Sequence, residues 1–177
     1  HVWFDMTLWA YVVDTITTAL IDLLPAEKAY FLSQKDAYVS EFMAVKQATL
    51  DKVNQLAPEQ RVLVTAHDAF NYFGQFYGFE VMALQGISTQ SEAGIEDVKE
   101  LVDFIVDRKI PAIFVESSIP KRHIQAVQES VKAKGWAVDI GSELYSDALG
   151  DANGNAGTYL GMVQHNVNEI VNALIVQ

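Results

Sequence analysis

The sequence predicts an α/β fold: a four-stranded parallel sheet flanked by helices and preceded by a helix and a long second helix. From residue 61 onward, short β-branched runs alternate with amphipathic helix patterns, whereas the residues before them contain helix patterns only. Alternating strands and helices form parallel sheets with helices on both faces. The 177 residues are enough for one domain with its own core, or for one lobe with an accessory element.

The amino-terminal part of the chain predicts two helices. Asp5 is placed to cap the first, whose apolar residues recur three or four positions apart from Leu8 to Leu24. Pro25 interrupts this pattern and suits the first turn of a second helix, predicted over residues 25–57. At 1.5 Å per residue this helix would be roughly 50 Å long, too long for a small sheet to cover. It is therefore predicted to be a strut that crosses from one lobe to another.

Pro58 marks the boundary after which strands and helices alternate. The predicted strands are residues 62–66, 79–84, 112–116 and 136–140. The predicted helices are residues 69–77, 95–108, 120–134 and 158–176. Thr89 and Glu92 have capping-box spacing ahead of the second of these helices, and Gly78 and Gly135 suit helix carboxyl-terminal caps.

Composition excludes several functional classes. The 23 acidic and 12 basic residues give a net charge of −11, and no stretch is basic, so nucleic acid and anionic membranes are poor partners. The absence of cysteine excludes disulfides, thiolate catalysis and cysteine-ligated zinc. No segment is predicted to span a membrane. Because the chain opens on His1 and an aromatic stretch, we expect it to be the interior of a longer protein.

Chemistry-bearing side chains occur where predicted strands end. His67 follows the first strand, Glu116 ends the third, and Asp147 lies in the long loop after the fourth. In a parallel sheet these positions share one edge, where open α/β sheets bind ligands. A second histidine, His1, stands at the amino end. Imidazole and carboxylate groups together are the ligand set of a divalent metal site.

Several of these residues have a structural alternative. A lone histidine such as His67 is more often structural, and Asp147 is equally consistent with a solvated loop aspartate. Asp68 is predicted chiefly to cap the helix that follows it. Glu116 could bind a metal or, as we favour, accept a hydrogen bond that fixes the orientation of a ligating histidine. His123 is expected to be solvent-exposed, on the polar face of its helix.

His165 is expected at the surface or partly buried.

Two further motifs resemble functional sites but lack residues that those sites require. Residues 151–155 imitate the start of a calcium loop, but Ala156 and Met162 occupy the positions that require glycine and glutamate. Ser117 could be grouped with His67 and Asp147 as a hydrolase triad, but no Gly-x-Ser-x-Gly elbow surrounds any serine.

Six stretches, in order along essentially the whole chain, resemble the metal-binding receptors of bacterial zinc/manganese ABC transporters, especially the TroA-like members. They are HVWFD (1–5), VTAHDAF (64–70), YGFE (77–80), ESSIP (116–120), SDALG (146–150) and GTYLGM (157–162). The resemblance implies two α/β lobes joined by one rigid helix. Residues 1–24 would then be the remnant of an amino-terminal lobe, 25–57 the strut, and 58–177 the carboxyl-terminal lobe.

The resemblance also implies a ligand set and a role. One ion would be held by His1, His67, Asp147 and a histidine outside this sequence. Independently of the resemblance, Glu116 and Asp68 are predicted to support the ligands. The ion would be Zn²⁺ or Mn²⁺ as transported ligand, the partner an ABC permease, and the location periplasmic or lipid-anchored. Manganese receptors of the family often have glutamate at the position of His67. Imidazole is softer than carboxylate, so the chain leans toward zinc.

This interpretation makes the protein a capture receptor rather than an enzyme. The alternative is a metal-dependent hydrolase on a doubly wound sheet, with Glu116 as general base. A flavodoxin-like interaction domain is a third possibility. Only His67 and Asp147 are expected to be rigidly placed by this chain. The apolar flank of the strut, together with Trp3 and Phe4, is expected to be exposed or covered by self-association.

Overall fold

The computed structural model describes residues 1–88 and 94–175, and it begins with a helical hairpin. The 3₁₀ turn Val2–Phe4 leads into helix α1 (Met6–Leu23), and the turn Pro25–Glu27 leads into helix α2 (Lys28–Val53). The carboxylate of Asp5 accepts hydrogen bonds from the backbone N–H groups of Thr7 and Leu8, as predicted for an N-terminal cap.

Helix α2 is shorter than predicted. Its first three residues form a separate 3₁₀ turn, and it ends four residues early, leaving 26 residues or about 39 Å. The chain turns at Asn54 so that Leu56 enters the core. The buried residues of α2, Phe42, Val45, Thr49 and Val53, all lie in its carboxyl-terminal half. Its role as a strut between two lobes stays a prediction.

The second part of the chain has the predicted α/β order. After the 3₁₀ turn Pro58–Gln60 come β1 (Val62–His67), α3 (Asn71–Tyr77), β2 (Glu80–Gln85), α4 (Ile95–Asp107), β3 (Ala112–Ile113), α5 (Arg122–Ala133), β4 (Asp139–Ile140), the 3₁₀ turn Asn155–Gly157 and α6 (Tyr159–Leu174). Gly78 and Gly135 have φ of 75° and 87°, which confirms their predicted places at helix ends. The Thr89–Glu92 capping box lies outside the described residues. At the start of α4, the Asp97 carboxylate accepts from the Gly94 N–H.

The strands form two parallel pairs, β1 with β2 and β3 with β4. A hydrogen bond from the Phe114 N–H to the Val64 carbonyl places β3 beside β1. β3 and β4 are shorter than predicted because regular pairing stops after two residues and continues only as separate contacts, such as the parallel bridge between Glu116 and Leu144. Since all pairs are parallel, the carboxyl ends of the strands share one edge.

The sheet separates two apolar cores. One contains Val64, Ile113 and Ile124 and is covered by α4 and α5. The other is rich in aromatic residues and is covered by α2, α3 and α6. Phe4 belongs to this second core. It is 2% exposed and stacks on Phe70 with ring centroids 4.6 Å apart. The expectation that Phe4 is exposed is therefore wrong, because α3 and its preceding loop provide an aromatic pocket for it.

The α1–α2 hairpin carries an exposed apolar surface, as expected for the flank of α2. The exposed residues are Leu8, Tyr11, Ile16, Leu20, Leu23, Tyr30, Leu32, Val39 and Met43. In the described part of the chain, α1 alone is long and apolar enough to cross a membrane, with a mean hydropathy of 1.2. The sequence was expected to contain no segment of this length and composition, and that expectation is wrong. α1 packs against α2, where Lys46 donates to the Thr7 hydroxyl. Self-association through this surface stays a prediction.

Candidate metal centre

The side chains of His1, His67 and Asp147 meet at the carboxyl edge of the sheet. Each offers one ligand atom, and these three atoms lie within 4.8 Å of one another. The Nε2 atom of His1 is 3.0 Å from Asp147 Oδ1, and the Nε2 atom of His67 is 3.2 Å from Asp147 Oδ2. The structure thus brings together the three residues proposed as ligands, from the amino end of the chain, the end of β1 and the loop after β4.

Glu116 contacts His67 on the side of the imidazole that faces away from His1 and Asp147. The imidazole and the carboxylate are both buried, at 0% and 1% exposure. Glu116 Oε1 accepts the backbone N–H of His67 at 2.8 Å, and Glu116 Oε2 lies 2.7 Å from His67 Nδ1. With Nδ1 turned to Glu116, Nε2 faces His1 and Asp147. This is the arrangement in which a carboxylate fixes the tautomer and orientation of a metal-binding histidine.

The surroundings of His67 determine its protonation. Burial lowers the pKa of His67, but the Glu116 carboxylate and then Asp147 raise it, and the net pKa lies above the usual 6.5. Both ring nitrogens face a carboxylate, which favours the imidazolium. A divalent ion bound at Nε2 would take the place of the proton there, so a metal and a proton would compete for the same atom.

His1 is also anchored, contrary to the expectation that only His67 and Asp147 are rigidly placed. The indole Nε1–H of Trp3 donates to the Ser146 carbonyl at 3.1 Å, and the Tyr159 hydroxyl donates to the Trp3 carbonyl at 2.8 Å. The segment that begins with His1 is therefore tied to both the Asp147 loop and α6. These partners could not be predicted from the sequence, in which only Trp3 lies close to His1.

Asp68 does not cap α3, so this prediction is wrong. The helix begins only at Asn71, and its N-cap is Phe70, without a side-chain hydrogen bond. Asp68 instead lines a separate groove of about 420 Å³ beside β2 and α4, together with Asn71, Gln85 and Asp97. Its predicted role as a support for the ligands stays a prediction.

The two remaining histidines lie outside the cluster. His123 is partly buried rather than exposed as expected, because its Nδ1 lies 3.0 Å from the Gln85 side-chain nitrogen. His165 is partly buried, within the expected range, and its Nε2 is 2.9 Å from the Glu143 carbonyl. These two residues provide natural comparisons for His67.

The fold and this site define a family of metal-uptake receptors. The family model of the periplasmic zinc-uptake complex component A, ZnuA, matches residues 1–173, and the chain belongs to this family. The resemblance and the fold class predicted from the sequence are thereby confirmed.

Two relatives show how similar the chain is to known family members. It is 50% identical to the zinc-binding protein TroA of Treponema pallidum over 174 residues, which are 98% of this chain and 56% of TroA. It is 44% identical to the manganese-binding lipoprotein MntA of Bacillus subtilis, over 98% of this chain and 57% of MntA. The solved structure of the T. pallidum periplasmic zinc-binding protein TroA superposes with a TM-score of 0.95 and covers 98% of this chain and 63% of that one. The chain thus spans little more than half the length of these relatives.

Proposed function

We propose that this chain carries part of the site of a receptor that captures Zn²⁺ or Mn²⁺ outside the inner membrane and delivers it to an ABC permease. The observation that carries the proposal is the convergence of two imidazoles and one carboxylate within 4.8 Å. Both metals accept nitrogen and oxygen ligands. The names of the relatives, zinc-binding TroA and manganese-binding lipoprotein MntA, support this cargo and a periplasmic or lipid-anchored location.

Capture requires no chemical step. A divalent ion entering the cluster displaces the proton at His67 Nε2, while Glu116 keeps its contact with Nδ1. The two positive charges of the ion would be balanced by the partly exposed carboxylate of Asp147 and the buried carboxylate of Glu116. By the family resemblance, a histidine outside this sequence completes the ligand set.

We propose that the protein is not an enzyme. A hydrolase on this site would need Glu116 as general base, with a carboxylate oxygen free to take a proton from water. Both oxygens of Glu116 instead contact His67, and the side chain is buried. This pairing supports a positioning role and counts against the hydrolase alternative.

The proposal is tested by calorimetric titration of the metal-free chain with Zn²⁺, and separately with Mn²⁺, at neutral pH. We expect one saturable site per chain, tighter for zinc because affinity at a given nitrogen and oxygen site is higher for zinc than for manganese. If the chain shows saturable binding of neither metal, the proposed function is ruled out.

Zinc affinity is expected to fall as the pH is lowered. The raised pKa of His67 means that protons compete for Nε2 already above pH 6.5, with about a tenfold loss per pH unit for each proton displaced. Stability of the metal-free chain should change in the opposite sense. A histidine with a raised pKa contributes stability that is complete below its unfolded pKa and lost as the pH rises through its folded pKa.

These opposite trends can be measured by zinc titration and by thermal unfolding of the metal-free chain, both between about pH 5 and 8. Zinc affinity that stays constant across this range would contradict the proton competition at His67.

A further inference from the structure

We propose that Trp3 is a positioning residue of the metal centre, whose indole N–H fastens the segment carrying His1 to the loop carrying Asp147. The inference rests on the proposed function, because it concerns how the same cluster of ligands is held. It assigns to Trp3 a role beyond filling the core.

Trp3 touches both ligand-bearing segments directly. Its Nε1–H donates to the carbonyl of Ser146, the residue immediately before Asp147, across 143 positions of sequence. Its ring also lies edge-on to the ring of His1, with centroids 5.3 Å apart. One side chain therefore constrains the ring of one ligand and the backbone next to another.

The backbone of Trp3 is itself fixed by the helical part of the protein. The Tyr159 hydroxyl donates to the Trp3 carbonyl, and the Tyr159 ring stacks with Trp9 of α1 and with Phe42 of α2. Burial raises the pKa of Tyr159, so the hydroxyl stays protonated and keeps its donor. The Trp3 backbone is thus connected through Tyr159 to α1, α2 and α6.

The same set of contacts reaches the third ligand. The hydroxyls of Ser146 and Ser118 are 2.9 Å apart, and Ser118 lies two residues after Glu116, which holds His67. The segments of His1, Asp147 and His67 are consequently connected through Trp3 and Ser146. Partners of this kind, which orient ligands without touching the ion, typically change metal affinity about 10- to 100-fold when removed.

The test compares Trp3→Phe with Trp136→Phe in the full 177-residue chain. Trp136 offers a matched control because its Nε1–H also donates to a backbone carbonyl, that of Ile110, at 2.8 Å. Each variant loses one such hydrogen bond, but only the first lies beside the proposed ligands. We expect Trp3→Phe to weaken Zn²⁺ binding about 10- to 100-fold, and Trp136→Phe to bind like the unmodified chain.

Two further measurements separate positioning from general loss of structure. In a His1→Ala background, Trp3→Phe should cost less affinity than in the unmodified chain, because its effect acts partly through His1. The visible absorption of the Co²⁺-loaded chain, which depends on coordination geometry, should change for Trp3→Phe and not for Trp136→Phe.

A third variant, Tyr159→Phe, removes only the hydroxyl that supports Trp3. It should also weaken zinc binding, and it keeps the test informative if Trp3→Phe folds poorly.

The outcomes distinguish this inference from the proposed function. If the unmodified chain and Trp136→Phe bind neither Zn²⁺ nor Mn²⁺, the proposed function is overturned. If the unmodified chain binds, and Trp3→Phe and Tyr159→Phe bind equally well, the positioning role of Trp3 is overturned while the metal centre stands.

Discussion

Replacing His67 with alanine will remove most of the zinc affinity of this chain. Structural zinc sites with four protein ligands have apparent binding free energies of about 10–16 kcal/mol, or roughly 2.5–4 kcal/mol for each ligand. Loss of one ligand therefore corresponds to about a 100- to 1000-fold lower affinity. His67 should reach this range because its imidazole is buried and already oriented by Glu116, so no binding energy is spent on ordering it.

The controls for this experiment are present in the same chain. His123→Ala and His165→Ala each remove an imidazole outside the cluster and should leave zinc affinity unchanged. Asp147→Asn, at a partly exposed side chain, keeps the shape of the residue and should weaken binding without endangering the fold. If His67→Ala binds zinc as tightly as the His123 and His165 variants, His67 is not a ligand.

Replacing Glu116 with alanine will produce the largest loss of stability at the site. The backbone N–H of His67 would lose its acceptor, and the ring Nδ1 would lose the carboxylate oxygen that lies 2.7 Å away. Removing one partner of a buried, hydrogen-bonded charge pair costs about 3–5 kcal/mol. Urea unfolding of the metal-free chain at neutral pH measures this difference in the free energy of unfolding.

Two comparisons make the Glu116 result specific. Glu116→Gln keeps an oxygen that can accept the His67 N–H, so it should be less destabilising than the alanine variant. Glu80→Ala breaks an ion pair with Arg108 in which both side chains are nearly half exposed, and exposed pairs contribute at most about 1 kcal/mol. If Glu116→Ala and Glu80→Ala lower the free energy of unfolding equally, the buried contact between Glu116 and His67 does not contribute the expected stability.

Much of the fold could be predicted because its signals are local. The spacing of apolar residues predicted every helix of the α/β part within a few residues of its observed ends, since that spacing reflects which face is buried. The lengths of β3 and β4 could not be predicted in this way. Residues 112–116 are all buried, but a regular ladder also requires an uninterrupted neighbour, and that depends on the rest of the sheet.

The residues of the site likewise include some that could be predicted from the sequence and some that could not. His67 and Glu116 could be located because parallel strands deliver their ends to one edge of the sheet, whereas the role of His1 as a ligand was predicted from the family resemblance. Trp3 and Tyr159 could not be predicted, because their hydrogen bonds join residues 143 and 156 positions apart. Phe4 was misjudged for the same reason, since its partner Phe70 is distant in sequence.

The most direct test of the proposed centre is a crystal structure of the zinc-loaded chain, with the ion located by its anomalous scattering. We expect one zinc ion bound by His67 Nε2, a nitrogen of His1 and an oxygen of Asp147, each at about 2.0–2.2 Å, with Glu116 still paired to His67 Nδ1. A zinc ion bound elsewhere, or bound at this edge without His67 and Asp147, would contradict the assignment.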